Sequence, residues 1–127
     1  MKKVYLIALI VILLDQVTKY IFKNYIDYTK NYGAAFGILQ NQQLLFILIS
    51  LVVIIVIVSI KKDMFPLGFL LGGTIGNLID RLYYGYVIDF IDLKIWPDFN
   101  LADTSITIGI FLLIIYYIKN DTNSKKL

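Results

Sequence analysis

Four apolar stretches, Val4 to Phe22, Leu44 to Ile60, Met64 to Leu82 and Leu101 to Ile118, dominate this chain. Each has about the 17–20 residues that a helix rising about 1.5 Å per residue needs to cross a hydrocarbon core of about 30 Å. Apolar residues make up 59% of the sequence and charged ones 17%, against roughly 45–50% and 25% in soluble domains. A water-soluble fold of 127 residues has too little interior to hide that much apolar surface. The bilayer has to be the solvent. The pattern predicts an all-α membrane protein of one domain, residues 1–127, with four transmembrane helices at about 4–22, 44–60, 64–82 and 101–118. The start, Met1-Lys2-Lys3 followed by an apolar run to Leu14, also fits a signal peptide. No small-x-small cleavage site follows it and three further spans do, so it reads as a retained helix.

Orientation follows from the lysines. Lys2 and Lys3, Lys61 and Lys62, and Lys119, Lys125 and Lys126 all fall on one side of a four-span arrangement. The positive-inside rule assigns that side, with both termini, to the cytoplasm. The segments from Lys23 to Gln43 and from Tyr83 to Asn100 then lie outside. Tyr20, Tyr25, Tyr28, Tyr32, Tyr83, Tyr84, Tyr86 and Trp96 gather there, as amphipathic rings do at a headgroup layer. Gly33 and Gly37 among β-prone residues point to a small extracytoplasmic strand or hairpin platform. The segment 83–100 is expected to form a short amphipathic interfacial helix, and Lys61-Lys62-Asp63 a tight turn between antiparallel helices.

The chain contains no cysteine and no histidine, and its nine acidic residues are all aspartates. Disulfides, thiolate nucleophiles, Ser-His relays and His-based zinc sites are thereby excluded. With no His, Cys or Glu to ligate one, neither a metal nor another cofactor is expected. The net charge of +3 gives no reason to expect a nucleic-acid partner.

Ionisable groups at membrane depth cost about 2.5–3.5 kcal/mol each on insertion scales, so each calls for a function. Asp15 and Lys19, four apart on the first helix, share a face and can pair, if only to neutralise each other. In the third helix Gly73, Gly76, Asn77 and Asp80 share a face, with Arg81 one turn beyond Asn77. Gly68, Gly72 and Gly76 form a second row of small residues, a helix-packing seam. Packing alone leaves Asn77, Asp80 and Arg81 unexplained; they suggest a polar pocket at the outer mouth of that helix. Asp89 sits among apolar neighbours just outside the third span, and Asp103 begins the fourth. Asp103 could simply cap that helix, and Asp89 could be a surface acid. Together they offer what a hydrolase without His or Cys needs: two carboxylates that share a proton because neighbouring like charges cannot both ionise.

Asp15-Gln16-x-Thr18-Lys19, Asn31-Tyr32-Gly33-Ala34-Ala35-Phe36, Gly72-Gly73-x-x-Gly76-Asn77-x-x-Asp80-Arg81, Val87-x-Asp89-Phe90-Ile91 and Phe99-Asn100-x-Ala102-Asp103 occur in that order. As a set they resemble the motifs of bacterial lipoprotein signal peptidases, the signal peptidase II family. The resemblance implies an aspartyl endopeptidase of the cell membrane that cleaves prolipoproteins before a diacylglyceryl-modified cysteine, near the outer leaflet. It implies catalytic roles for Asp89 and Asp103, and supporting roles for Asp15, Lys19, Asn31, Asn77, Asp80, Arg81 and Asn100. Partners would be lipid-modified prolipoproteins and membrane lipids, and the enzyme would be monomeric. A transporter would set its charges along a path near the midplane, whereas these gather at the outer end. A scaffold would explain the glycine seam but not the two acids beside it.

Overall fold

The computed structural model describes residues 1–34, 36 and 38–124. Ala35 of the second motif, Gly37 of the expected platform, and Lys125 and Lys126 of the basic tail lie outside the described residues. The order of elements is α1 (Lys2–Tyr25), β1 (Thr29–Asn31), α2 (Gln43–Ser59), α3 (Phe65–Tyr84), β2 (Val87–Asp89) and α4 (Leu101–Ser124). The four helices coincide with the four apolar stretches to within a few residues, α4 running further into the polar tail than its apolar content requires. Lys2–Tyr25 and Leu101–Asp121 are long and apolar enough to cross a membrane by length and composition, and Gln43–Ser59 is a shorter apolar helix.

α3 is the centre of the bundle. Pro66 opens it, where a missing N–H costs nothing, and Gly85, at φ 75°, closes it in the left-handed conformation. α1 and α4 pack along it closely because of its glycines. A Cβ on Gly72 would lie 2.6 Å from Val11 Cβ and 2.8 Å from the Ala8 carbonyl oxygen. Gly73 meets the Ala102 carbonyl on the α4 side in the same way. The seam expected from the small residues is therefore shared, Gly68, Gly72 and Gly76 facing α1 and Gly73 facing α4. Val4, Ala8, Ile57, Met64, Leu67 and Leu71 form a buried apolar cluster at the end of the bundle where α1 starts. There Asp63, in the turn between α2 and α3, accepts the backbone N–H groups of Lys3 and Val4 and so caps α1.

The distribution of polarity is the inverse of a soluble protein's. α1 exposes Leu6, Leu9, Leu13 and Val17, while Asp15 and Lys19 are fully buried. Side chains of that kind on the outside have nowhere to go but lipid.

β1 and β2 pair antiparallel, with Thr29 opposite Asp89, Lys30 opposite Ile88 and Asn31 opposite Val87. The platform expected from residues 23–43 is thus half of a sheet whose other half comes from residues 87–89. The interfacial helix expected within 83–100 is not formed: α3 continues to Tyr84, and β2, an Ile91–Phe99 bridge and bends occupy the rest. Gly85 ends the helical path, β-branched Val87 and Ile88 favour an extended one, and Pro97 blocks helix close behind.

Candidate active site

At the end of the bundle beneath this sheet, α1, α3 and α4 each turn polar residues inward. Lys19 is the hub. Its ammonium lies 2.8 Å from Asp15 Oδ2 and 2.9 Å from Asp80 Oδ2, and donates to Asn77 Oδ1 at 3.0 Å. Its three protons therefore have three acceptors, which is how a buried ammonium is tolerated. The two carboxylates reach onward to backbone. Asp15 Oδ1 accepts the Ala102 N–H at 2.9 Å, and Asp80 Oδ2 accepts the Ile88 N–H at 3.0 Å. One cluster thus holds both the start of α4 and the strand β2. Gly76 makes room for it, since a Cβ there would lie 2.5 Å from Asp15 Oδ2.

Asp89 ends β2 and is 2% exposed. Its Oδ1 accepts from Asn100 Nδ2 at 2.7 Å and its Oδ2 from Asn31 Nδ2 at 2.9 Å. Burial, and secondarily the charge of Asp103, push its carboxyl up to about 7, against the opposing effect of the two amide donors. Asp103 is half-buried in the first turn of α4. Asn100 and Asp103 cap that helix reciprocally: the Asp103 N–H donates to Asn100 Oδ1 at 2.9 Å and the Asn100 N–H to Asp103 Oδ2 at 3.2 Å. The helix-cap reading of Asp103 is therefore correct for one of its oxygens. The other, Oδ1, accepts from Asn77 Nδ2 at 2.8 Å.

The two acids are joined through amides. Asn100 Nδ2 is shared between Asp89 Oδ1, the Ile88 carbonyl and Asn77 Oδ1, and Asn77 turns its Nδ2 to Asp103. Asn31 and Asn77 thereby each commit a side-chain N–H to a carboxylate, and Asn100 shares its amide nitrogen among three oxygens. Arg81 is different. Its guanidinium carbon lies 4.9 Å from the centre of the Phe46 ring, and its buried Nε has no hydrogen-bond partner. All nine polar residues picked out in the sequence meet in this region, eight in one hydrogen-bonded network and Arg81 lining the adjoining cavity.

That cavity, about 530 Å³, is a groove with α3 as its floor. Leu70, Thr74, Asn77 and Arg81 rise from α3 at helical spacing between walls from α2 and α4. It is apolar along Phe46, Ile49, Val53, Ile106 and Ile110, and takes in Asp103 together with Asn31, Trp96 and Asp98. A smaller cavity of about 290 Å³ opens on the other side of Asp89, beside Thr29, Lys30 and Gln40.

A family model described as Signal peptidase (SPase) II matches residues 7–119. The chain belongs to the signal peptidase II family. The lipoprotein signal peptidase of Halothermothrix orenii is 44% identical over 89% of this chain and 93% of that relative. That of Moorella thermoacetica is 39% identical over 85% and 87%. A bacterial membrane enzyme solved by the in meso method at 2.3 Å resolution superposes with a TM-score of 0.89 at 35% identity, covering 97% of this chain and 92% of the other. This signal peptidase II homologue is accordingly a peptidase and a membrane protein.

One participant escaped the sequence reading. Gln16 Nε2 lies within 3.2 Å of Asp15 Oδ2, Asp80 Oδ1 and the Gly76 carbonyl, tying α1 to α3 beside Lys19. Its position next to Asp15 in the first motif was the available signal, but neighbours in a helix point in different directions.

Proposed function

We propose that this protein is a single-domain, four-span endopeptidase of the bacterial cell membrane. It removes signal peptides from prolipoproteins by cleaving before the diacylglyceryl-modified cysteine, with Asp89 and Asp103 as an aspartyl dyad. The observation that carries this reading is the pair of amide-linked carboxylates where two cavities adjoin, Asp103 lining the apolar groove and Asp89 the smaller cavity beside it. An apolar signal helix and acyl chains entering sideways from lipid match a groove walled by α2 and α4, and a peptide bond at that junction would lie beside both acids.

The chemistry runs as general acid–base catalysis. Below about 7, Asp89 keeps its proton, which leaves Asp103 as the base. Asp103 takes a proton from water, and the hydroxide adds to the scissile carbonyl carbon. Asp89 gives its proton to the oxygen on which negative charge develops. Collapse breaks the C–N bond as Asp103 gives the proton it took from water to the cysteine nitrogen and Asp89 recovers one from the gem-diol, so the signal peptide leaves as a carboxylic acid and the dyad is restored. Asn31, Asn77 and Asn100 keep the carboxylates in position. Arg81, whose side chain lines the groove, is the donor we assign to the substrate's carbonyl.

Two further elements of the reading concern orientation and company. The turn holding Asp63 is at the same end as the start of α1, which supports a common cytoplasmic side for the N-terminus and Lys61 and Lys62. The dyad is at the other end, near the outer leaflet. The nine site residues all come from one chain, which supports an enzyme that acts as a monomer on lipid-modified prolipoproteins surrounded by membrane lipid; a sequence without His, Cys or Glu supports a reaction without metal or cofactor.

The deciding experiment is incubation of the purified protein with a lipidated prolipoprotein and with its unlipidated precursor, followed by mass spectrometry. Cleavage before the lipidated cysteine is expected, with loss of cleavage in Asp103→Asn. Equal cleavage of both substrates, or full activity of the variant, would overturn the reading.

A further inference from the structure

The two-stranded sheet leaves an unusual vacancy next to Asp89. In an antiparallel pair, opposed residues alternate between those that exchange hydrogen bonds and those whose N–H and C=O point away from each other. Ile88 faces Lys30 across the sheet. Its N–H donates to Asp80 Oδ2 at 3.0 Å and its carbonyl accepts from Asn100 Nδ2 at 3.3 Å. Both groups are thus turned away from β1, and Lys30–Ile88 is the non-hydrogen-bonded pair. It follows that the N–H and C=O of Lys30 point outward, away from β2, on the free edge of β1. Among the described residues no backbone hydrogen bond from outside the sheet reaches Lys30, and the residue is exposed. An edge of this kind is a template for another strand.

The position of that edge says which strand. Lys30 lines the smaller cavity together with Asp89, whereas Asp103 lines the larger one. Asn31, Ala34, Pro97 and Asp98 line both, so the two cavities adjoin at the acids. Under the function proposed above, on which this inference rests, the signal helix and the acyl chains take the apolar groove. The part of the substrate that remains is the mature chain, which must leave toward water. The smaller cavity is walled by Thr29, Gln40 and Asp98, with the Thr29 hydroxyl donating to Asp98 Oδ2; it suits a solvated peptide and not a lipid tail.

We propose that the mature segment immediately after the scissile bond binds in extended form as an added strand on the free edge of β1, exchanging main-chain hydrogen bonds with Lys30. Recognition through the main chain reads conformation and not side chains, so one enzyme accepts mature sequences of many kinds. Only Lys30 turns both groups outward, since Thr29 and Asn31 turn theirs toward β2. A single substrate amide N–H therefore pairs with the Lys30 carbonyl, and proline is excluded at that one position.

The test leaves the enzyme unaltered. A lipidated substrate is synthesised with one amide at a time replaced by an ester, from the second to the fifth mature residue, and kcat/KM is measured for each. One position is expected to lose about three- to tenfold, the worth of a net hydrogen bond, with its neighbours close to the parent substrate. Proline at the sensitive position lowers the rate further. In a second arm, Lys30→Pro removes the outward N–H and is compatible with an edge strand. It also loses the ammonium that lies over the Tyr86 ring, so it is compared with Lys30→Ala, which loses the ammonium and keeps the N–H. Lys30→Pro lowers kcat/KM for the parent by a similar factor relative to Lys30→Ala, with thermal unfolding unchanged. An ester series cleaved uniformly at the parental rate overturns the strand, even while cleavage of the parent upholds the proposed function. Failure of the wild-type protein to cut the parent overturns both.

Discussion

Replacing Asp89 by Asn removes an ionisable group from a site that resists ionisation, and the consequences for stability and for catalysis have opposite signs. The carboxyl is raised from 3.8 to about 7, chiefly by burial. At about 1.4 kcal/mol for each pKa unit, keeping it ionised in the folded state costs roughly 4 kcal/mol above about pH 7. Because the folded value is the higher one, this penalty is absent below the unfolded value, grows across the interval between the two, and is complete above about 7. Asn escapes it. Asn also has a single acceptor oxygen, so one of the two donors, Asn31 Nδ2 or Asn100 Nδ2, is left facing an NH₂ group at a cost of about 1–3 kcal/mol. Asp89→Asn is therefore expected to be more stable than wild type by about 2 kcal/mol near pH 8, and close to it near pH 5.

The assay is thermal unfolding of the detergent-solubilised proteins at both pH values, with turnover of a lipidated substrate measured alongside. A gain of about 2 kcal/mol corresponds to a rise of several degrees. Turnover should fall by at least about 10²–10⁴-fold, the range for loss of a general acid. In wild type, activity should decline as pH rises through about 7, where Asp89 gives up its proton. A stability difference between variant and wild type that is the same at both pH values would refute the proposed environment of Asp89, whatever happened to activity.

Other outcomes follow from the same geometry. Gly76→Ala brings a Cβ to 2.5 Å from Asp15 Oδ2 and should cost about 1–3 kcal/mol in chemical unfolding, because Asp15 must give up Lys19 or the Ala102 N–H. Single cysteines at Ile95, which is 92% exposed, and at Lys62 should divide by side: an impermeant maleimide added to intact cells labels the first and spares the second. Chelators should leave the rate unchanged, and activity lost to a chelator and restored by a divalent ion would contradict the dyad.

The helices were legible because each carries its signal locally, over enough residues for the apolar run to stand clear of its flanks. The polar residues were legible for the converse reason: a lysine or aspartate inside such a run is costly enough to stand out. The sheet was not. Its strands are three residues each and the two halves lie far apart in the chain, Asn31 bonding to Asp89 across 58 positions. Three residues are too few for a period of two to register, and the partner of a strand is not written beside it. Segment 83–100 looked amphipathic and so helical, while Gly85 and the β-branched pair Val87-Ile88 settled it as strand.

Some of the sequence alternatives dissolve in the structure because both halves are true of one residue. Asp103 caps α4 with Oδ2 and faces Asn77 with Oδ1. The Asp15–Lys19 pair does neutralise charge, yet Asp15 spends its second oxygen on the Ala102 N–H. The glycine seam does pack helices, yet Gly76 is the member that admits a carboxylate. A chain this short has few buried positions to spare for polar groups, and each one must be satisfied. Using the same carboxylate to end a helix, hold a strand and compensate an ammonium keeps their number low. It also ties the parts together: Lys19 bridges Asp15, which holds the start of α4, and Asp80, which holds β2, the two elements that carry Asp103 and Asp89.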